Sequence, residues 1–355
     1  MDRIYRLIIR APLHVGSTGV GSEGTLAYMP SDSLFAAIVS TWATLEPESL
    51  EAWLAPFSQG KPPFLLSSAF PYAGDVRLFP APVFEPPLSG ELRRELGKKL
   101  KRLSHVSEGI LTGWLKGNDL ENELEHKGVS NFIQSGRAWV TTGERSQIAT
   151  AIGLPAEEPD ALLIWREQVA PHVTVGRINN TPNLHHSGRV TFSKGCGLWL
   201  GLRGPDEWSE RVERALRVMA DSGMGGLRST GHGAFKFQPW PSKNTFAAPE
   251  EDGYGFLLSR TAPAATQMQS LIDAGTSYRL ATIGGWCGNE EGMPRKRRRV
   301  RLLAEGSVVR WTSNPFGQLV DVNPVSAGDT LAHPVYRNGF GLAIRVEKAA
   351  LEAKP

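Results

Sequence analysis

The sequence contains little cysteine and no long hydrophobic run. Only two of its 355 residues are cysteines, Cys196 and Cys287, and they lie far apart without the CxxC spacing of a zinc site. We therefore expect neither a disulfide framework nor a metal, and no cofactor. The longest apolar stretches are too short to span a membrane, and residues 1–15 lack the apolar core of a signal peptide. These absences predict a cytoplasmic protein that does not contact a membrane.

The sequence also lacks the standard nucleotide-binding fingerprints. It has no GxxxxGK[ST] motif, and no strand ending in GxGxxG leads into a helix. It does contain the stretch GMGGLRSTGHG at residues 223–233, here called the glycine loop. Glycine tolerates φ > 0 and has no Cβ, so backbone N–H groups in such a loop can approach an anion closely. Arg228 would add a fork of donors for phosphate. A phosphodiester backbone would fit this surface, but glycine-rich turns are more often structural than functional.

Charge is unevenly distributed although the net charge is only +3. Residues 295–301 (RKRRRVR) hold six cations and no anion. A second cluster lies on a segment whose leucines recur at helical spacing, which predicts an amphipathic helix with a basic face. Its members are Arg93, Arg94, Lys98, Lys99, Lys101 and Arg102. Either run alone is typical of a solvated surface, whereas two runs in an otherwise slightly acidic chain favour an RNA partner.

The hydrophobic patterning predicts an α+β fold. The expected order is a strand at 3–10, a helix at 34–45, strands at 61–88 and 188–203, a helix at 206–221 and a strand at 234–238. This is the order of a ferredoxin-like or RNA-recognition-motif domain with insertions. Ser31 and Asp32 are expected to cap the first helix. Residues 129–170 are compatible with either a protruding hairpin or a loop.

Proline marks a boundary after the last of these strands. Pro239, Pro241 and Pro249 surround residue 240 and indicate a linker. We therefore predict an N-terminal domain at residues 1–240 and a smaller, strand-rich C-terminal domain at residues 241–355.

A series of motifs along the whole chain resembles the RAMP superfamily of CRISPR proteins. Within it the closest resemblance is to the fourth Csm subunit, the Cas5-like RAMP protein of type III-A CRISPR effector complexes. The motifs are LHVGS at 13–17, PSDSLFAAIVSTW at 30–42, PPFLLSSAFPY at 62–72, LFPAP at 78–82, VGRINNTPNLHHSGRVTF at 175–192, SGMGGLRSTGHGAF at 222–235, GSVVR at 306–310 and HPVYRNGFGLAI at 333–344. Each motif alone is weak, but their ordered succession is specific.

The resemblance implies a ferredoxin-like RNA-binding domain followed by a second, smaller ferredoxin-like domain. It implies a subunit without nuclease activity that caps the effector complex and binds the 5′ handle of the crRNA. Its implied partners are the large polymerase-like Csm subunit and the backbone RAMP subunit of the filament. The motifs place RNA contacts at His14, Gly16, Ser17, Arg177, Gly225, Gly226, Arg228 and Ser229, and the basic helix adds Lys98, Lys99 and Lys101. Gly176 stands where the family often has an acidic residue that would orient Arg177.

A metal-independent endoribonuclease that processes crRNA is the alternative function. Such cleavage needs a base and an acid within hydrogen-bond reach of the reacting oxygens, and His14 and His232 are the candidates. Both are equally plausible phosphate donors, and no orienting group lies near them in the sequence. His172, His185 and His186 lack a carboxylate or cysteine at ligand spacing, so we expect polar loop residues there and no metal. We therefore predict no catalytic residue.

Overall fold

The computed structural model describes residues 3–16, 24–175, 182–241, 246–287, 295–324 and 334–352. Ser17 and Arg177 lie outside these residues. The α-helices are α1 Ser31–Leu45, α2 Leu50–Ser58, α3 Gly90–Glu95, α4 Gly97–Arg102, α5 Glu108–Lys116, α6 Thr142–Ile152, α7 Asp206–Ser222 and α8 Lys348–Leu351. Short 3₁₀ helices occupy Pro47–Ser49, Glu121–Glu123, Pro159–Ala161, Arg228–Thr230 and Ala265–Ile272.

The described strands fall into one large sheet and several smaller ones. They are β1 Arg3–Ile9, β2 Leu65–Leu66, β3 Phe70–Ala73, β4 Val76–Pro80, β5 His105–Ser107, β6 Glu125–His126, β7 Val129–Ser130, β8 Phe132–Ile133, β9 Ala138–Trp139, β10 Trp165–Val175, β11 Pro182–Phe192, β12 Cys196–Arg203, β13 Phe235–Pro239, β14 Tyr254–Leu257, β15 Leu280–Ile283, β16 Trp286–Cys287, β17 Arg295–Lys296, β18 Val300–Leu303, β19 Val308–Arg310, β20 Leu319–Asp321, β21 Tyr336–Asn338 and β22 Ala343–Val346.

The large sheet has the order β13-β1-β12-β3-β4-β5-β9-β8, with β2 paired to β12. The first four strands are antiparallel to their neighbours, with Leu7 of β1 opposite Leu198 on one side and Phe237 on the other. This is the strand order of a βαββαβ ferredoxin-like unit, with α1 and α7 as its two helices. The mixed α/β fold expected from the patterning is confirmed.

Helix α7 covers one face of the sheet as its periodicity predicts. Val212, Ala215, Leu216 and Met219 recur on one stripe and are buried, whereas the charged residues point outward. The basic segment differs from its prediction, because α3 and α4 are two short helices separated by a turn at Leu96. Gly97, a poor helix former, directly follows that turn. The leucine face is nevertheless buried or half-buried, and the lysines are exposed.

The region that the sequence left undecided contains short strands, α6 and the start of a long hairpin. Strands β10 and β11 pair over eleven residues each, from Trp165 opposite Phe192 to Val175 opposite Pro182. Both strands extend well beyond the point where Leu13 bridges to Val190. An antiparallel strand pair, in keeping with one of the two alternatives left open for residues 129–170, therefore starts at Trp165 and lies mostly C-terminal to that region.

The C-terminal part is built from a three-stranded sheet, β19-β14-β22, and antiparallel hairpins. Its core is continuous with that of the N-terminal part, since Leu258, Phe340 and Ile344 belong to the same buried cluster as Phe57. The rings of Phe57 and Phe340 lie 6.3 Å apart. Among the described residues no helix is both long and apolar enough to cross a bilayer.

Candidate nucleic-acid interface

Three segments that are distant in sequence meet at the end of the first strand. Leu13 and Val190 exchange two backbone hydrogen bonds, of 2.8 and 2.7 Å, at the base of the β10–β11 hairpin. The glycine loop closes against the same segment, because Gly226 N–H donates to the His14 carbonyl (2.8 Å) and Gly233 N–H donates to the Pro12 carbonyl (2.9 Å). The first loop, the hairpin base and the glycine loop therefore meet at one junction.

The His14 side chain lies at the centre of this junction and is buried. Its Nδ1 is 2.7 Å from the carbonyl oxygen of Gly188. A carbonyl oxygen can only accept a hydrogen bond, so Nδ1 must carry the proton of this contact. Nε2 is the ring nitrogen that remains for another contact. The ring packs against the Cα of Gly226.

In the inner half of the glycine loop, residues 223–226 together with Gly233, the glycines let the backbone lie close to neighbouring backbone and side-chain atoms. Gly225 has φ +83°, and a Cβ there would lie 2.4 Å from the carbonyl oxygen of His14. Gly226 has no positive φ, but a Cβ there would lie 2.8 Å from Cδ2 of His14. A Cβ at Gly223 would lie 2.4 Å from the carbonyl oxygen of His232, and a Cβ at Gly233 would lie 2.0 Å from that of Met224. Real Cβ atoms are not found so close to other atoms, so the packing of this half of the loop requires glycine at these positions.

The outer half of the loop faces solvent. Leu227 adopts the left-handed conformation (φ 59°) and leads into the 3₁₀ turn Arg228–Thr230, whose residues are exposed. The Thr230 hydroxyl donates to the Leu227 carbonyl at 2.8 Å. Among the described residues, no acceptor is found for the backbone N–H groups of Leu227, Arg228 and Ser229. Three consecutive amides and the Arg228 side chain are therefore available to an anion.

Of the other predicted contacts, Gly16 lies two residues beyond His14, whereas the lysines of α4 lie away from this junction. Gly16 is exposed and forms a bridge with Thr25 in the first loop. Lys98, Lys99 and Lys101 are exposed on α4, where the Lys99 ammonium lies 5.9 Å from the ring of Phe132 in β8. Strand β8 is at the opposite end of the sheet from β13, the strand that follows the glycine loop. The basic helix and the glycine loop are therefore separate surfaces.

A cavity of about 570 Å³ is acidic and poorly suited to RNA. The carboxylates that line it already have partners in the protein: Glu108 accepts from Arg77 at 2.7 Å, and Glu144 accepts from the Gly109 N–H at 2.9 Å. Because its acidic lining repels phosphate, this cavity does not compete with the glycine loop as an RNA site.

The two histidines proposed for catalysis have other partners. His14 Nδ1 is bonded to a backbone carbonyl, and His232 Nδ1 lies 3.1 Å from the Thr230 hydroxyl. Neither imidazole is hydrogen-bonded to a carboxylate in the described part of the chain. Within those residues no group of histidine, cysteine and carboxylate side chains is arranged to hold a metal ion.

The expectation that Ser31 and Asp32 cap α1 is wrong. The N-cap is Pro30, and Asp32 lies inside the first turn, fully buried. Its carboxylate accepts from Arg337 at 2.9 Å and from Arg260 at 3.3 Å. Ser31 accepts from the backbone N–H of Arg260 at 2.9 Å. Both residues therefore join the N-terminal helix to the C-terminal part of the chain, through partners that no local pattern reveals.

The antiparallel sheet and the glycine loop between its second helix and last strand agree with the fold that the RAMP resemblance implies. Comparison with known proteins supports a more specific similarity. Residues 250–346 match the family model described as the CRISPR Csm4 C-terminal domain. The chain is 26% identical over 320 residues to the CRISPR system Cms protein Csm4 of Thermococcus onnurineus (strain NA1), which covers 89% of this chain and 91% of that protein.

Solved structures share the fold over nearly the whole chain. A chain of the Csm3-Csm4 subcomplex in the type III-A CRISPR-Cas interference complex superposes with a TM-score of 0.66 at 17% identity, covering 97% of this chain and 99% of that one. A chain of the Csm1-Csm4 cassette in complex with pppApA superposes with a TM-score of 0.54 at 20% identity, covering 97% of both chains. The resemblance to the fourth Csm subunit is confirmed by the Csm4 C-terminal family model and by a curated Csm4 relative that matches nearly the whole chain.

Proposed function

We propose that this protein binds the 5′ handle of crRNA and caps one end of a type III-A CRISPR effector complex, without nuclease activity of its own. The observation that carries the proposal is the convergence of His14, Gly188 and Gly226 beside three unpaired amides and Arg228. Such a surface binds phosphates through backbone donors and one charged fork, so it fixes the position of a strand without reading many bases.

The proposed partners follow from the similarity to Csm4 proteins. Similar folds occur in structures that contain Csm3 and Csm1. The proposed partners of this chain are accordingly a backbone RAMP subunit and a large polymerase-like subunit, together with crRNA. The proposal keeps the division into residues 1–240 and 241–355, and a cytoplasmic location. It also keeps Gly16, Ser17, Arg177, Ser229 and the lysines of α4 as candidate RNA contacts.

The absence of a catalytic role rests on the surroundings of the histidines. A general base must reach the 2′-OH proton, and an acid must reach the leaving oxygen. His14 is buried and its Nδ1 proton is committed to Gly188. The Nδ1 atom of His232 lies 3.1 Å from the hydroxyl of Thr230 in the glycine loop. Metal-free incubation of repeat RNA with the purified chain is therefore expected to leave the RNA intact.

The proposal is tested by the affinity of the full chain for a labelled handle RNA, measured by fluorescence anisotropy. Arg228→Ala should weaken binding of all handle sequences to a similar degree, because the arginine contacts phosphate. The slope of log affinity against log salt should fall by about 0.7, the value for one phosphate contact on a single strand. Arg217→Ala, on the exposed face of α7, is the control. Equal affinities for the Arg228 variant and the unmodified chain would reject the glycine-loop site.

A further inference from the structure

Trp286 is the one tryptophan that the fold leaves exposed. All ten tryptophans lie in the described residues. Seven are buried, Trp208 and Trp240 are half-buried, and Trp286 is 52% exposed. The half-buried pair have aromatic and arginine neighbours, whereas no ring or cation contact is found for Trp286 among the described residues. A large aromatic face held in solvent without a partner is costly, so it is a candidate for ligand contact.

This tryptophan lies on a hairpin of strong positive charge. Residues 278–303 contain seven arginines and lysines and two glutamates. We call the paired strands β15 to β18, residues 280–287 and 295–303, the C-terminal hairpin. Lys296, Arg299 and Arg301 are exposed and form no ion pair with another described residue. Arg310, in the neighbouring sheet, instead pairs with both Asp252 and Asp273. Lys296, Arg299 and Arg301 are therefore not neutralised by any carboxylate of the described residues.

The strand register places the Trp286 side chain beside Lys296. Trp286 pairs directly with Lys296, and Thr282 pairs with Arg301. Directly opposed residues of an antiparallel pair share one face of the sheet, with Cβ atoms about 4.5–5.5 Å apart. The indole and the Lys296 ammonium therefore lie on the same surface, and Arg301 is on the exposed side of the adjoining strand pair.

The hairpin backbone is held in place by contacts that leave these side chains free. Between β17 and β18, Arg297 N–H donates to Gly285 at 2.9 Å and Arg298 N–H donates to Val322 at 3.0 Å. The Arg297 side chain turns inward toward Gly285. Burial, with a smaller contribution from the nearby Arg337, lowers its pKa to about 10.

We propose that the C-terminal hairpin binds a single-stranded RNA segment, with a base stacked on Trp286 and phosphates neutralised by Lys296, Arg299 and Arg301. Exposed aromatic rings among cations are the usual means by which proteins hold single strands without sequence preference. This site is separate from the glycine loop and does not depend on handle binding. An acidic protein partner is the alternative occupant, and the test below separates it from RNA.

Binding of a labelled oligouridylate without handle sequence tests the proposal, measured by anisotropy with the full chain. An Arg228→Ala background keeps the glycine loop from contributing. Trp286→Ala should weaken binding about tenfold, and Trp286→Phe should retain most of the affinity because a phenyl ring still stacks. The double variant Arg299→Gln/Arg301→Gln should lower the salt slope by about 1.4. Ile272→Ala, another exposed apolar residue, is the control.

Each outcome decides the proposal. Unchanged affinity in both Trp286→Ala and the double variant overturns it. A loss in the double variant alone, with Trp286→Ala equal to the unmodified chain, overturns the stacking and leaves only electrostatic attraction. If the variants bind RNA normally but fail to join the other complex subunits, the hairpin is a protein interface. Thermal unfolding of each variant excludes misfolding, and handle affinity measured in parallel separates this site from the glycine loop.

Discussion

The backbone N–H of Gly226 donates to the carbonyl oxygen of His14 at 2.8 Å, and the imidazole of His14 covers the Cα of the same glycine. This contact ties the loop after β1 to the loop after α7. It also leaves no room for a side chain at residues 225 and 226. The glycines of the inner half of the loop therefore serve the junction, and the outer half presents the donors.

Alanine at residue 225 should damage the junction far more than alanine at residue 231. Gly225 and Gly231 have nearly equal φ, +83° and +82°, so both substitutions carry the same backbone strain of about 1 kcal/mol. Only Gly225→Ala would also force a Cβ to within 2.4 Å of the His14 carbonyl, whereas nothing lies within 4 Å at Gly231. Urea unfolding should show a further loss of about 1–3 kcal/mol for Gly225→Ala. Equal losses for the two variants would contradict the close approach.

Gly226→Val should displace the His14 ring and weaken handle binding. A Cβ at residue 226 would lie 2.8 Å from Cδ2 of His14, and valine adds two methyl groups beyond it. Because Gly226 has no positive φ, the cause is steric contact and not backbone strain. The NMR signals of the His14 ring should shift in this variant, and handle affinity should fall. The paired variant Gly226→Val/His14→Ala should recover part of the stability, and a cycle with strictly additive losses would argue against contact.

Asp32→Ala should destabilise the whole chain by about 3–5 kcal/mol, since it leaves the buried guanidinium groups of Arg260 and Arg337 without their shared carboxylate. Asp75→Ala is the matched control, because Asp75 is 84% exposed in its pair with Arg6 and should contribute under about 1 kcal/mol. Chemical denaturation measures both. A loss of similar size in the two variants would mean that the buried carboxylate is not the link between the two parts.

The free energy of unfolding should fall in mild acid because of His105. Burial, with a smaller contribution from Arg137, lowers the pKa of His105 from 6.5 to about 3. The unfolded chain therefore binds a proton between these values while the folded chain does not, so this stability is complete above pH 6.5 and is lost as the pH falls toward 3. Between about pH 7 and about pH 5 the loss should be about 2 kcal/mol.

His105→Phe isolates that contribution. Phenylalanine keeps an aromatic ring beside Trp165, whose centroid lies 5.3 Å from that of His105, and removes the titrating group. Denaturation curves at the two pH values should then differ less for the variant than for the unmodified chain. The same pH dependence in both would assign the acid sensitivity to other groups.

The sequence predicts the elements of the N-terminal sheet because each has its own period. Alternation in β1 and the apolar stripe of α7 arise from residues a few positions apart. The role of Asp32 could not be predicted in this way, since its partners Arg260 and Arg337 lie far along the chain. Gly188 was likewise unexpected at the junction, because only the fold brings the hairpin base to His14. The motif identifies the glycine loop, but it does not show which of the loop's backbone N–H groups already donate to carbonyl groups of the protein.

Photocrosslinking of the assembled complex tests the central claim most directly. Thiouridine placed in the handle of the crRNA forms a covalent link to the side chain or backbone that it contacts, and mass spectrometry identifies the peptide. Crosslinks are expected from the 5′ handle to residues 225–229. Handle crosslinks confined to other surfaces, with none to these residues, would contradict it.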